Sequence, residues 1–358
     1  MPHSNPDEAV GWGLQTRANM RSTGFVRRCQ LLVIASVLGA LTLAVGVPGP
    51  SAHAAGHHTW QVTVGVQTAN GVISGMIFTP SQIFVKAGDT VVWTVGSKEI
   101  HTVAFGNPPA DTDNEGAEGI DNPLLNAFEE IEEQFATPAG GSSFDGVSYY
   151  NSGIMTTLPE ASGFPQAIQH YALTINAPVG AYTFYCLVHG PMMSQVVHVI
   201  PSDQAYPFTQ EQYNSQAARQ RASVFAQGWR AYAKTVSTVA PNTVSVGASV
   251  DTGQADVMRF LRKNTTIKVN QTVTFTNVTG DPHTVTIGAE QGILSYGDWN
   301  NVRLGDNVSS GLFGAAFTGF GLPTSVTFRF TQPGVYHYYC VFHDYEGMVG
   351  TITVVSGD

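Results

Sequence analysis

Cys186 and His189 stand three positions apart in "GAYTFYCLVHGPMMSQVVHV" (residues 180–199), and Cys340 and His343 stand three apart in "GVYHYYCVFHDYEGMVGTITV" (residues 334–354). A methionine follows each pair: Met348 after the second, Met193 or Met192 after the first. A cysteine closing one strand, a histidine just beyond it and a methionine opening the next strand gather three side chains round one tight loop. One more imidazole from a distant strand completes the shell. His101 and His283 are placed for this, each after an alternating run ("VVWTV", "TFTNV") and each followed by Thr-Val. A thiolate with two imidazoles in one plane and a weak thioether on the axis suits copper in both oxidation states. Zinc is the first competitor, but its sites favour four strong ligands and seldom recruit methionine. Copper is the metal that this donor set selects.

The two constellations belong to a repeat. Sliding the chain by 182 residues lays "MIFTPSQIFVKAGDTVVWTVGSKEIHTV" (76–103) on "MRFLRKNTTIKVNQTVTFTNVTGDPHTV" (258–285) without a gap, with His101 on His283. An offset of 154 lays Gly180, Tyr182, Tyr185, Cys186 and His189 on Gly334, Tyr336, Tyr339, Cys340 and His343. The first copy therefore carries 182 − 154 = 28 extra residues between its first histidine and its cysteine. Repetition of this length signals two copies of one domain.

Both copies are built from short alternating runs of β-branched and aromatic residues ("DTVVWTV", "QTVTFTNV", "YALTI", "VTFRF") separated by Gly, Pro, Asn and Asp, which predicts an all-β sandwich for each. The expected organisation is an export signal or N-terminal anchor over 1–54, a first sandwich over 57–200 with an acidic insertion near 106–145, a helical linker over 201–240, and a second sandwich over 241–358. The insertion reads as an acidic loop followed by an amphipathic stretch from Leu124 to Phe135, either a solvated cover or a docking surface for a basic partner. In the linker, residues 208–235 contain no proline and have helical spacing, with Phe208, Tyr213, Val224, Phe225, Trp229 and Tyr232 as candidate buried positions.

Arg17, Arg21, Arg27 and Arg28 precede an uncharged run of 17 residues ("LLVIASVLGALTLAVGV") and then Ala52-His53-Ala54, the layout of a cleaved export signal. A retained single-span membrane tether is the rival reading. Either places the bulk outside the cytoplasm, in a periplasmic, cell-surface or extracellular location. Without residues 1–54, four of 16 basic and two of 26 acidic residues are lost, leaving 12 against 24 and a net charge of −12. That balance argues against a nucleic-acid partner. Cys29 lies in the signal, so the exported part keeps Cys186 and Cys340. Each sits in its own copy of one pattern, which argues against a disulfide between them.

Each copy resembles a cupredoxin of the plastocyanin and azurin family. The resemblance rests on "FVKAGDTVVWT", "PVGAYTFYCLVH" and "QPGVYHYYCVFHDYEGMVGTITV" and covers nearly all of residues 60–200 and 245–356. It implies two tandem Greek-key sandwiches, each with a type 1 (blue) copper at one end, used for single-electron transfer with a redox partner protein such as a basic cytochrome or a copper enzyme. Carried over by position, the second site is His283, Cys340, His343 and Met348. In the first, His101, Cys186 and His189 carry over. Met193 keeps strand register with Met348, whereas Met192 gives a Cys-x2-His-x2-Met spacing also found in the family. Gln195 replaces the glycine that the second copy has at Gly350. His189 and His343 would be the solvent-facing ligands through which electrons pass.

Two other readings stay open. A copper oxidoreductase of the nitrite reductase or multicopper oxidase kind needs a further copper. The cysteines' neighbours here are Tyr185, Leu187, Tyr339 and Val341 rather than a histidine, and the sequence has no His-x-His pair. His170, His198 and His337 are unassigned and would have to meet at a contact to hold such a metal; an outward place on a strand is the plainer account of His198 and His337. A copper storage or delivery role has one clue, since cleavage after Ala54 would leave Ala55-Gly56-His57 as a Cu(II)-chelating terminus.

Overall fold

The computed structural model describes residues 56–107, 136–290 and 297–357. The expected export signal or anchor over 1–54 and the expected amphipathic stretch from Leu124 to Phe135 lie outside the described residues. The first half lays down β1 (Thr59–Gln67), β2 (Ile73–Thr79), β3 (Gln82–Val85), β4 (Thr90–Val95), β5 (Ala104–Phe105), β6 (Ser143–Phe144), β7 (Tyr150–Asn151), β8 (His170–Ile175), β9 (Gly180–Cys186) and β10 (Gly190–Val199). Helix α1 (Gln210–Thr238) follows. The second half adds β11 (Thr243–Val246), β12 (Ala255–Val257), β13 (Phe260–Leu261), β14 (Asn264–Lys268), β15 (Thr272–Thr276), β16 (Thr286–Ile287), β17 (Val308–Ser309), β18 (Ser325–Arg329), β19 (Gly334–Tyr339) and β20 (Val349–Val355).

The fold is all-β with one connecting helix, and the halves repeat a topology. In the first, sheets ordered β12-β2-β1-β4-β8-β6 and β3-β10-β9-β5-β7 face each other; in the second the orders are β13-β11-β15-β18 and β14-β20-β19-β16-β17. Parallel pairings β1–β4 and β3–β10 recur as β11–β15 and β14–β20. Alternation explains the faces. In "TVVWTV" of β4 the second, fourth and sixth residues, Val91, Trp93 and Val95, are buried. Trp93, Phe144 and Phe184 fill one core, while Phe275, Phe328 and Tyr338 fill the other.

Two features tie the halves together. β12 belongs by sequence to the second half but pairs antiparallel with β2 of the first, Ala255 against Gly75 and Val257 against Ile73. Val224 of α1 packs with Val66, Ile73, Ala248, Val257 and Leu261 in a third cluster drawn from both halves. The helix opens on a capping box, in which the Thr209 hydroxyl accepts from the Gln212 amide and the Gln212 side chain accepts from the Thr209 amide. Of the residues expected to be buried along it, Tyr213 and Val224 are, and Phe208, Phe225 and Tyr232 are partly so. Trp229 is 40% exposed. The helix crosses the sheet at Gly228, which lies against Ile73, so the indole one position on turns away from the contact and stacks edge-on with Tyr232.

Candidate metal centres

The two constellations come together as two clusters, His101–Cys186–His189 and His283–Cys340–His343. In the second, Cys340 Sγ is 3.6 Å from Nδ1 of His283 and 3.6 Å from Nδ1 of His343, and the two nitrogens are 3.1 Å apart. In the first, His101 Nδ1 and His189 Nδ1 are 3.2 Å apart, and Cys186 Sγ is 3.4 Å from His189 Nδ1. Two nitrogens at about 2.05 Å and one sulfur at about 2.3 Å around a trigonal ion would be separated by about 3.5 Å (N to N) and about 3.8 Å (N to S). The separations given are slightly shorter, and in each cluster the three donor atoms all lie within 4.8 Å of one another. The residues fit one ion per pocket.

β9 and β19 bring the cysteines to the sandwich end, and the segments that lead into their neighbours β5 and β16 supply the first histidines. His101 and His283 are fixed by isolated bridges to Met155 and Phe313. The amide of the next residue then donates to sulfur, Thr102 to Cys186 and Thr284 to Cys340, each at 3.4 Å. The same threonines accept through their hydroxyls from the backbone beyond each cysteine, Leu187 at 2.8 Å and Val341 at 3.0 Å. Such donors hold the sulfur and tune a metal bound to it. In the second loop a 3₁₀ turn over Asp344–Glu346 lets the Cys340 amide donate to the Met348 carbonyl at 3.1 Å.

The structure separates the two candidate methionines. Met193 is fully buried in the core cluster that contains Cys186, as Met348 is in the cluster that contains Cys340. Met192 is 50% exposed and lies against Gly253. Gln195 is also buried. It sits opposite Phe184 on β9, just as Gly350 sits opposite Tyr338 on β19. Gln195 accepts from the Trp93 indole at 2.7 Å and donates to the Pro80 carbonyl at 2.7 Å, so the larger residue is absorbed by hydrogen bonds and by a partner without a hydroxyl.

Two glycines that spacing alone did not single out shape these sites. A Cβ on Gly65 would lie 2.0 Å from His101 Nε2, and one on Gly247 would lie 3.2 Å from His283 Nε2. The 182-residue offset aligns them, which is the signal that finds them. His170, His198 and His337 stay outside both clusters. His198 stacks on Phe84 with centroids 4.4 Å apart, His170 meets the Thr94 hydroxyl at 3.0 Å, and His337 is exposed beside Thr351.

Burial sets the protonation of the pockets. It pushes His189 down to about 4 and His343 down to about 3, and pushes the Cys340 thiol up to about 11. His101 and His283 are lowered by burial and by the neighbouring imidazole, and Cys186 is raised by burial. The imidazoles are thus held neutral, the form in which they ligate. His343, expected to face solvent, is 4% exposed, because Glu99 of the first half stands over it with Oε2 3.6 Å from Nε2. Glu99 itself is raised by burial and by Glu346 and Asp281 nearby.

The family of copper-binding proteins typified by plastocyanin and azurin matches residues 246–355. Plastocyanin, chloroplastic, of Chlamydomonas reinhardtii is 33% identical over 138 residues, which is 38% of this chain and 83% of that protein. The chain belongs to the plastocyanin/azurin family. Solved relatives include a mutant fern plastocyanin, 22% identical with a TM-score of 0.21 over 32% of this chain and 99% of that one. The Cu(I) form of a mutant of amicyanin is 20% identical with a TM-score of 0.21, over 34% of this chain and 89% of the other. The family match falls on the second half, and the repeat offsets and the paired geometries extend its pattern to the first cupredoxin half.

Proposed function

We propose that this is an exported protein that carries single electrons through two type 1 copper centres, one in each half. One observation carries the reading: two buried Sγ/Nδ1/Nδ1 triangles, each in a core cluster with a buried methionine, recur at equivalent places in the repeat. Copper held by His101, Cys186 and His189, and by His283, Cys340 and His343, supplies a one-electron couple. Met193 and Met348 are the axial partners in this reading.

The chain's own residues do the rest. The packed sandwich holds the sulfur and one imidazole on the loop that closes a hairpin and the other imidazole on a bridged segment from elsewhere in the chain, so their geometry is set before a metal arrives and changes little with its charge. The Thr102 and Thr284 amides stabilise negative charge on sulfur. Burial keeps water out and the imidazoles neutral. The half-buried His189 offers the more accessible edge for a redox partner. The net negative charge favours a partner with a basic face.

Purified protein should contain about two coppers per chain and show an intense thiolate-to-copper band, and its paramagnetic resonance spectrum should show no type 2 signal. Cys186→Ser and Cys340→Ser should each remove about half of that band. Full absorption in either variant would contradict the reading. A third copper accompanied by nitrite or oxygen turnover would replace it with the oxidoreductase reading, and ready loss of copper to a modest chelator would favour storage.

A further inference from the structure

The two halves meet about an internal two-fold axis. The offset of 182 makes Ile73, Ser74 and Gly75 the counterparts of Ala255, Asp256 and Val257. These segments of β2 and β12 pair antiparallel with Ser74 against its own counterpart Asp256, Ile73 against Val257 and Gly75 against Ala255. The flanking hydrogen bonds obey the same symmetry: the Met76 amide donates to the Gln254 carbonyl and the Met258 amide to the Val72 carbonyl, both at 3.0 Å. A contact in which one residue meets a second while their counterparts meet in reverse is an isologous interface, here closed within one chain.

The axis brings the metal-binding ends together. The turn that leads into β2 and the turn that leads into β12 each pack on the ligand segment of the other half. A Cβ on Gly71 would lie 3.1 Å from the Glu346 carbonyl, and one on its counterpart Gly253 would strike the Met192 thioether. Gln67 donates to Glu346 at 2.8 Å across the same contact. The loop before His101 then reaches over, with Glu99 Oε2 3.6 Å from His343 Nε2. The path from His343 through the Glu99 side chain and two residues of chain to His101 is about 20 Å at full stretch, an upper limit on the separation of the two donor sets. His343 is lowered by burial and, secondarily, by the imidazole of His189, the residue that the repeat relates to it.

The symmetry breaks at the surface. Of the residues assigned to the two centres, His189 alone is partly exposed, whereas its counterpart His343 is covered by the first half. We propose that the two centres exchange electrons across this internal axis and that His189 is the port for both, so that the second centre fills and empties through the first. The proposal rests on the two-centre reading above. A reduced partner gives up one electron at His189, that electron crosses the axis to the second centre, and a second encounter supplies another to the first. No bond forms or breaks and no proton moves. The chain then holds two electrons behind one docking face.

The test uses the full chain. In the metal-free protein the Met76 and Met258 amides should both exchange slowly with solvent, and rapid exchange at either would overturn the internal axis whatever the copper content. With Cu(II) at both centres, dipolar coupling in the paramagnetic resonance spectrum should place the ions no more than about 20 Å apart, and a longer separation would overturn exchange between them. Cys186→Ser keeps the second centre's half of the thiolate-to-copper band, which shows that the variant is folded and loaded. A reduced basic cytochrome should bleach that band at least about tenfold more slowly than it bleaches wild type, the order by which loss of a productive docking face lowers an association rate. Bleaching at the wild-type rate would overturn the port at His189. A chain with one copper would instead overturn the two-centre reading, and the amide exchange would still decide the axis.

Discussion

Gly65 leaves room for His101: a Cβ there would lie 2.0 Å from Nε2 and 2.7 Å from the Ser97 hydroxyl, and the residue has φ of +63°. No real Cβ survives such a contact, so the imidazole or the strand must move. Gly65→Ala should remove copper from the first centre, leave the second intact and cost about 1–2 kcal/mol from the left-handed backbone alone. Copper per chain should fall from about two to about one. Gly247→Ala makes the comparison: its Cβ would be 3.2 Å from His283 Nε2 at φ of +77°, so a similar backbone cost should come with copper retained. Equal copper loss in both variants would show that strain rather than contact decides.

The two adjacent methionines give a second contrast. Met193 is fully buried in the core cluster that contains Cys186, whereas Met192 is 50% exposed. Met193→Ala should cost about 2–5 kcal/mol, as core methionines do, and should shift the half of the visible band that Cys186→Ser removes. Met192→Ala should stay within about 0.5 kcal/mol and leave the spectrum unchanged. A spectrum that responds to Met192 instead would reverse the axial assignment.

Much of this site was legible because each ligand is marked by chemistry that its environment does not require. Cys186, His189, Cys340 and His343 lie within four residues of one another in each half, and His101 and His283 are recovered by the offset. The strands were legible for the same reason that Val91, Trp93 and Val95 are buried in turn: alternation records which face meets the core. What alternation cannot record is which surface meets a second body. The pairing of β12 with the first half, the outward turn of Trp229 and the burial of His343 under Glu99 all depend on how two sandwiches and a helix meet. Glu99 reads in sequence as one more acidic loop residue.

Gln195 and Phe184 form a cross-strand pair that replaces Gly350 and Tyr338. A Cβ on Gly350 would fall 2.2 Å from the Tyr338 ring, so the tyrosine requires the glycine. Phe184→Tyr should therefore force its hydroxyl against the buried Gln195 amide and cost about 1–3 kcal/mol, as overpacking does. Gln195→Gly alone should cost a similar amount, because it strands the Trp93 indole N–H and the Pro80 carbonyl. The double variant should be less destabilised than the sum by about 1–2 kcal/mol. Strict additivity in denaturant unfolding would show that the two positions do not constrain each other.

Stability of the metal-free chain should respond to Glu346 with a definite sign. Burial against the other half raises its carboxyl from 4.5 to about 7, even with Gln67 donating to it at 2.8 Å. A group whose folded pKa lies above its unfolded one stabilises the fold fully below about pH 4.5, and that contribution is lost as pH rises to about 7. Glu346→Gln removes this loss while keeping the shape. The variant should match wild type to within about 1 kcal/mol at pH 5 and exceed it by about 3 kcal/mol at pH 8. The buried histidines act in the opposite sense. With His189 lowered to about 4 and His343 to about 3, the unfolded chain takes up their protons first, and stability falls as pH drops below 6.5. That acid limb should be the same in both proteins. Denaturant unfolding from pH 4 to pH 8 separates the two effects, and a variant whose advantage is no larger at pH 8 than at pH 5 would show that Glu346 is not held protonated by its burial.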